Sequence, residues 1–597
     1  MTATNRAGFA QDAHPVEVIL AAGLAVAAAL AGVAWLIAEV AALIAGHRLT
    51  LSLACASRGL LDWHHHVANP RRAFPASAQL ELPGPFGMYL AVAVIALVIA
   101  TGAVAATRIV GRVRLGNRRG YATALDVRRT LSATAAKNRG HSTSGRGTGN
   151  GAVVALGTDV RSRQHLFGAA EDSYLYLGPP RSGKGVHLII PQTLDAPGAA
   201  LVTATRPDTL RHTLAIRKTR GPVAVFDPQH LAGDVPRLRW APQHGCADPL
   251  TAIARARALA AGAQISPAAV TDAAFWQGMT EAVLRCYLHA AALDGRSMRD
   301  VLTWTARPAD PTPVRILRTH SGAAPGWVEE LVAQAAADPR QRDSVWAGVR
   351  RAVDALADPR VLDACSPTSG EAVDLREFID AGGTLYLLGT TGAQLTVAPL
   401  VTALVEALVE AARTAAAETT DGRLSPPLTL LLDEAANIAP IPSLPNLLAD
   451  GGGSGITTIC VLQSLAQSRA RWGQAGADAM WDAATTKVIL GGLAHAEDLS
   501  RISQLAGDVD DPVRTRTSGA GGASTSIAPR RLPALPVERL RTLRPGHAVV
   551  LARRTPPVEA RLQPWWEGPH RREIQAGLSS VEAGRGMGVG AEGQVKT

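Results

Sequence analysis

At 597 residues the chain is too long for one compact core, so two or three folded units are expected, with room for a membrane anchor besides. Apolar residues make up 47% and aromatics only 4%, a balance that suits Ala-rich helical and α/β domains and membrane spans. The net charge of +10 favours anionic partners such as nucleic acid, phosphate or anionic lipid, and the five dispersed cysteines (Cys55, Cys246, Cys286, Cys365 and Cys460) exclude zinc spacing and read as thiols in a reducing compartment.

In chain order, the first feature is an uncharged run from Val18 to Ala38, long enough as a helix to cross a hydrocarbon layer. A second runs from Leu82 to Thr107. These predict transmembrane helices at 16–45 and 82–107, a short cytoplasmic N-terminus at 1–15 and an extracytoplasmic loop at 46–81. Orientation follows from Arg108, Arg112, Arg114, Arg118 and Arg119 just after the second run, since positive charge accumulates on the cytoplasmic side. The run His64, His65 and His66 in the loop reads as exposed polar surface, with metal ligation as the alternative. Residues 108–151 form a basic juxtamembrane segment, and Leu131 to Gly151, rich in Ser, Thr and Gly, reads as a flexible linker.

A β-rich run then leads to Tyr174-Leu175-Tyr176-Leu177. Further apolar strands are expected at Ala199–Thr203, Pro222–Phe226, Thr384–Leu388, Leu428–Leu432, Ile456–Leu462, Lys487–Leu490 and His547–Ala552. Runs apolar throughout are the pattern of parallel strands buried on both faces. From about Thr251 to Ser369 the periodicity becomes helical, for example at Ala273–Leu293. The fold class is therefore α/β: a P-loop ATPase domain in two parts, 152–260 and 370–569, interrupted by an all-α insertion at 261–369. The stretch Ser518–Ala528 and the tail, 570–597 and especially from Gly577, are Gly- and Ser-rich and are expected to be mobile.

Two motifs carry chemistry. Gly178-Pro179-Pro180-Arg181-Ser182-Gly183-Lys184-Gly185 follows a strand and opens an apolar helix, the context that turns a common glycine pattern into a phosphate-binding loop. The glycines permit the tight turn, backbone N–H groups face the phosphates at a helix N-terminus, and Lys184 reaches the β- and γ-phosphate oxygens of ATP. Gly185 stands where a Ser or Thr usually ligates Mg²⁺. Downstream, the strand Leu428–Leu432 ends in Asp433 and Glu434. Paired acids at the C-terminal end of a buried strand fit a site in which Asp433 holds Mg²⁺ and Glu434 activates water. The next strand ends in Gln463, a candidate γ-phosphate sensor.

Together these features resemble the TraG/TraD type of coupling protein of conjugation and type IV secretion. GPPRSGKG, Ile190-Pro191, Asp248-Pro249-Leu250, Leu432-Asp433-Glu434-Ala435 and Leu462-Gln463-Ser464 carry the resemblance, together with the order of two spans, a split ATPase domain and the helical insertion. The resemblance implies a RecA-like fold and a membrane-bound homo-hexamer in the bacterial inner membrane. It also implies hydrolysis of ATP with Mg²⁺ and transfer of relaxase-bound single-stranded DNA, or protein, to the components of a secretion channel. Two departures stand out. Thr205-Arg206-Pro207-Asp208 replaces an Asp-x-Lys-x-Glu motif, and the loop Asp450-Gly451-Gly452-Gly453-Ser454-Gly455 lacks the basic residue relatives often place there. Arg469, Arg471 and Arg501 are then the candidate arginine fingers, each weighed against a solvated charge. An FtsK-like DNA translocase, a protein exporter and a nucleotide-binding docking platform without turnover are the alternative readings.

Overall fold

The computed structural model describes residues 15–48, 51–116, 120–142, 152–227, 232, 235, 237–263, 273–368, 370–389, 394–519 and 522–579. It forms two compact units, 1–115 and 116–597.

In the first unit, helices Pro15–Ile44 and Pro85–Gly116 flank short helical pieces, including Leu53–Asp62 and Trp63–His65. The stretch Pro85–Val104 is long and apolar enough to cross a membrane by length and composition. Of the first expected span, the apolar part with described side chains is Ala28–Ile44, which is shorter. Ala38, Ala41 and Ala42 pack against Phe74, Ala78, Leu82, Met88 and Ala91, so the loop folds back onto its helices. Trp35 Nε1 donates to the Leu51 carbonyl at 3.1 Å, and the Tyr89 hydroxyl to that of Val67 at 2.9 Å. His64, His65 and His66 are exposed, and among the described residues no cluster has the makings of a metal site.

The second unit is built on one sheet of eleven strands: β1 Val153–Asp159, β2 His165–Ala169, β3 Tyr174–Leu177, β4 Ala200–Ala204, β5 Val223–Phe226, β6 Thr384–Leu388, β7 Leu428–Leu432, β8 Ile456–Leu462, β9 Thr486–Leu490, β12 His547–Ala552 and β13 Val558–Arg561; β10 Asp508–Gly519 and β11 Gly522–Pro533 form a separate hairpin. The order is β2-β1-β13-β12-β9-β3-β8-β7-β4-β6-β5. From β9 to β5 the pairs are parallel, while β12, β13, β1 and β2 extend the sheet in antiparallel fashion. Strands β3, β4, β6, β7, β8 and β9 are buried at every position, which is why they read as largely apolar runs.

Between β5 and β6 the described chain is helical. Four of its helices, Pro249–Gly262, Pro311–Thr319, Pro339–Val353 and Pro359–Ala364, start with an aspartate cap followed by proline at the first turn. The aspartate carboxylate takes a free backbone N–H, and proline has none to lose. The helical region begins at Pro249, ahead of the expected boundary at 261, and Pro249–Gly262 packs directly on helix Gln394–Ala417. A single hydrophobic cluster runs from Leu175, Leu177 and Leu201 on the sheet to Tyr287, Trp304 and Trp346 in the insertion.

Two segments expected to be mobile carry regular secondary structure. Within Ser518–Ala528, the described residues 518–519 and 522–528 belong to the β10–β11 ladder, paired in register from Asp508↔Pro533 to Gly519↔Gly522. Thr515, Thr517, Thr525 and Ile527 are β-branched, and that preference outweighs the glycine and serine content. The expected linker is helical over Ala133–Ser142, where consecutive alanines favour helix and Leu131 anchors its start in a cluster with Leu156 and Leu166. Residues 143–151 lie outside the described residues. So does the tail from 580, although 571–579 is helical and buries Ile574 against Ile190, Leu194 and Ile216.

Candidate functional site

Strand β3 ends at Leu177, and the chain turns at once: Gly178 N–H donates to the Leu462 carbonyl at 3.0 Å, tying the loop to the end of β8. Arg181 and Gly183 take left-handed backbone angles, φ 64° and 86°. A Cβ on Gly178 would come within 2.8 Å of Ser182 Oγ, and one on Gly183 within 2.7 Å of the His187 ring, so both positions need glycine. Pro179 and Pro180 form the rest of the turn, Arg181 is exposed, and Ser182 Oγ is a buried hydroxyl without a hydrogen-bond partner. Lys184 begins the helix, 8% exposed, with Nζ donating to the Gly178 carbonyl at 3.0 Å. The first turn, Gly185–Ile189, is a π-helix ahead of Ile190–Asp195. Pro191 lacks the N–H that would close a regular α-turn on His187, and the turn widens. Around Gly185 nothing lies within 4 Å of the Cβ position, so the missing hydroxyl leaves open space.

The sheet order β3-β8-β7 sets the ends of three parallel strands side by side. Gly178 to Lys184, Gln463, and Asp433 with Glu434 therefore stand at one edge of the sheet, despite the long sequence between them. Asp433 is anchored by its backbone, whose carbonyl accepts from Thr203 Oγ1 on β4 at 2.7 Å. Its Oδ1 accepts the Glu434 N–H at 3.1 Å. Burial pushes the Asp433 carboxyl up to about 6; the Lys184 ammonium pulls the other way and Glu434 adds to the rise. Glu434 is held in a left-handed conformation, φ 51°, uncommon for a residue with a side chain and concentrated at functional turns.

Gln463 is joined to the acidic pair by residues the sequence reading missed. Its N–H donates to Gln467 Oε1 at 3.3 Å, and Gln467 Nε2 donates to Asn437 Oδ1 at 3.3 Å. Asn437 N–H in turn donates to the Glu434 carbonyl at 2.8 Å. The signal for Gln467 was present as Ser464 followed three residues on by Gln, a helix-start pattern.

The three arginine-finger candidates are all engaged within the chain. Arg469 pairs with the buried Asp498 at 3.0 Å, and Arg501 with Asp478 at 2.6 Å. Arg471 donates to the Gly262 carbonyl at 3.2 Å, and burial lowers its guanidinium to about 10. None is the freely solvated charge that was the alternative. The glycine loop 450–455 precedes β8 and so stands at the edge opposite Lys184, closely packed on Glu171 and Leu424. At the site edge, Arg206 is exposed in the turn after β4.

Residues 427–545 match the family model TraG-D_C, the TraM recognition site of TraD and TraG; the segment spans β7 with the acidic pair, β8 with Gln463, and the hairpin. The comparison with curated proteins found no match. Among solved structures, the bacterial conjugative coupling protein TrwBdeltaN70 aligns with a TM-score of 0.51 and 17% identity, covering 72% of this chain and 92% of its own. Plasmid coupling protein TrwB in complex with a non-hydrolysable GTP analogue aligns at 0.50 and 17% over the same shares. TrwB in complex with ADP and Mg²⁺ aligns at 0.50 and 16%, again over 72% and 92%. The fold is thus that of TrwB, and the resemblance to TraG/TraD-type coupling proteins stands on the fold and on the matched segment.

Proposed function

We propose that this chain, of the TraG/TraD coupling type by its fold and its 427–545 segment, is a membrane-anchored ATPase that feeds relaxase-bound single-stranded DNA to a type IV secretion channel. The observation that carries this reading is the meeting of Lys184, Gln463 and the Asp433–Glu434 pair at adjacent strand ends. The nucleotide complexes of TrwB support nucleotide binding here.

The residues fit ATP. The Gly178–Lys184 turn has the glycines and left-handed angles of a phosphate cradle, and Lys184 is buried beside it with Nζ on a loop carbonyl. Asp433 would hold Mg²⁺ through water, with the space at Gly185 left to solvent. When bound, the cation neutralises charge on the β- and γ-phosphates. Glu434, its backbone in the left-handed turn, would take the proton of the attacking water, and Gln463 would position that water or read the γ-phosphate.

Two membrane spans, a homo-hexamer and a location in the bacterial inner membrane, with the catalytic unit cytoplasmic, complete the proposal. The apolar helix Pro85–Val104 supports the anchor. A docking platform that binds nucleotide without turnover is the second reading; it is favoured by Gly185 and by the engagement of Arg469, Arg471 and Arg501 inside the chain. Purified full-length protein should hydrolyse ATP with Mg²⁺, faster with single-stranded DNA. Lys184→Ala and Glu434→Gln should each cut turnover by about 100-fold or more. Nucleotide binding with no turnover in the assembled protein, with or without DNA, would replace the motor with the platform.

A further inference from the structure

A cleft of about 880 Å³ opens at the sheet edge opposite Lys184, where β3 begins and β12 ends. Its walls are helices Ala124–Thr130 and Ala133–Ser142 and the turn after β12. Arg128, Arg129, Arg139, Arg553 and Arg554 line it, against one carboxylate, Asp172. Five cations and one anion leave a net charge of +4 in one cavity.

The arrangement is built rather than incidental. Asp172 is 2% exposed, and its Oδ2 accepts the Ala169 N–H at 2.9 Å. The same carboxylate holds Arg139 at 3.5 Å and takes Arg553 Nε at 2.9 Å, so one buried acid fixes two guanidiniums in the cleft wall. Arg553 sits in a left-handed turn, φ 48°, with its N–H on the Thr485 carbonyl at 2.9 Å. Arg128, Arg129 and Arg554 are exposed and make no ion pair among the described residues; Asp126, near Arg129, is engaged by Thr123. A fixed set of forked donors with excess positive charge matches the oxygens of a phosphate.

We propose that this cleft binds the phosphate headgroup of an anionic phospholipid in the membrane that anchors the chain. The proposal rests on the reading of Pro85–Val104 as a membrane span. Arg128 follows Val104 by only 24 residues (128 less 104), with Arg108, Arg112, Arg114, Arg118 and Arg119 between them. A connection of this length keeps these arginines within reach of the leaflet surface, where lipid phosphates are concentrated. Single-stranded nucleic acid is the poorer fit, because no aromatic side chain lines the cleft to stack a base.

The test is native mass spectrometry of the full-length protein in neutral detergent, titrated with phosphatidylglycerol. The variant Arg128→Glu/Arg129→Glu/Arg554→Glu should bind the lipid at least about tenfold more weakly, given roughly 1 kcal/mol per basic residue at an anionic surface. The milder Arg128→Gln/Arg129→Gln should fall between, and both should bind nucleotide as the parent does, which shows that they are folded. Equal lipid binding by parent and variants overturns the proposal. So does displacement of the lipid by millimolar inorganic phosphate, which would make the site one for free anion, or by a single-stranded oligonucleotide, which would make it one for nucleic acid. If the protein proves soluble without detergent yet still binds phosphatidylglycerol vesicles through these arginines, the cleft stands and the span reading falls.

Discussion

Asp433 shows how the site trades stability for chemistry. A carboxyl raised from its ordinary value to about 6 is harder to ionise in the fold than in the unfolded chain. The stability it permits is therefore present below about pH 4 and is lost as pH rises through about 6. At neutral pH the neutral isostere should recover it: Asp433→Asn is expected to gain about 1–3 kcal/mol in chemical denaturation while abolishing hydrolysis. The same shift makes Mg²⁺ binding by the free protein weaken as pH falls through about 6, which a Mg²⁺ titration across pH would show; binding unchanged down to about pH 4 would mean the carboxyl is not buried as described. The placement of Lys184, Asp433, Glu434 and Gln463 at strand ends and a helix start was legible in the sequence, because local chemistry sets that pattern. Gln467 and Asn437 were less visible, because their roles come from a hydrogen-bond chain linking separate segments.

At the level of elements, largely apolar runs announced seven strands to within a residue or so, since burial on both faces leaves few polar positions beyond threonine. Strand β13, only Val558–Arg561 with alternating burial, carried too short a pattern, and the β10–β11 hairpin was hidden by its glycines and serines. The glycine loop before β8 shows a different constraint. A Cβ on Gly452 would lie 2.2 Å from the Glu171 carbonyl oxygen, a backbone atom that cannot swing aside. Gly452→Ala should therefore cost about 2–3 kcal/mol, the scale of overpacking. Gly453→Ala, whose nearest contact is 3.3 Å, should cost much less. Thermal denaturation of the pair checks this, and equal costs would mean the loop can withdraw from Glu171.

For the molecule as a whole, the decisive feature is the continuous core. The sequence suggests a helical insertion, 261–369, set apart from the two parts of the ATPase domain. Yet Leu259, Val283, Leu284 and Tyr287 share one buried cluster with Leu400, Leu404 and Leu408 of helix Gln394–Ala417 and with the sheet. Deleting 261–369 should strip that cluster and leave an insoluble or unfolded protein, assessed by circular dichroism and yield; a soluble deletion that still binds nucleotide would show two separable cores. Sequence periodicity reports which face of a helix is apolar, but not which partner covers it, so this continuity became visible only in three dimensions. Its consequence reaches into ancestry and engineering. A region sharing a core with its host cannot be exchanged between relatives as a cassette, because a foreign insertion would bring side chains shaped for another sheet. Change in this region would have to arise piecemeal on the solvent side of these helices, with the inward side held fixed.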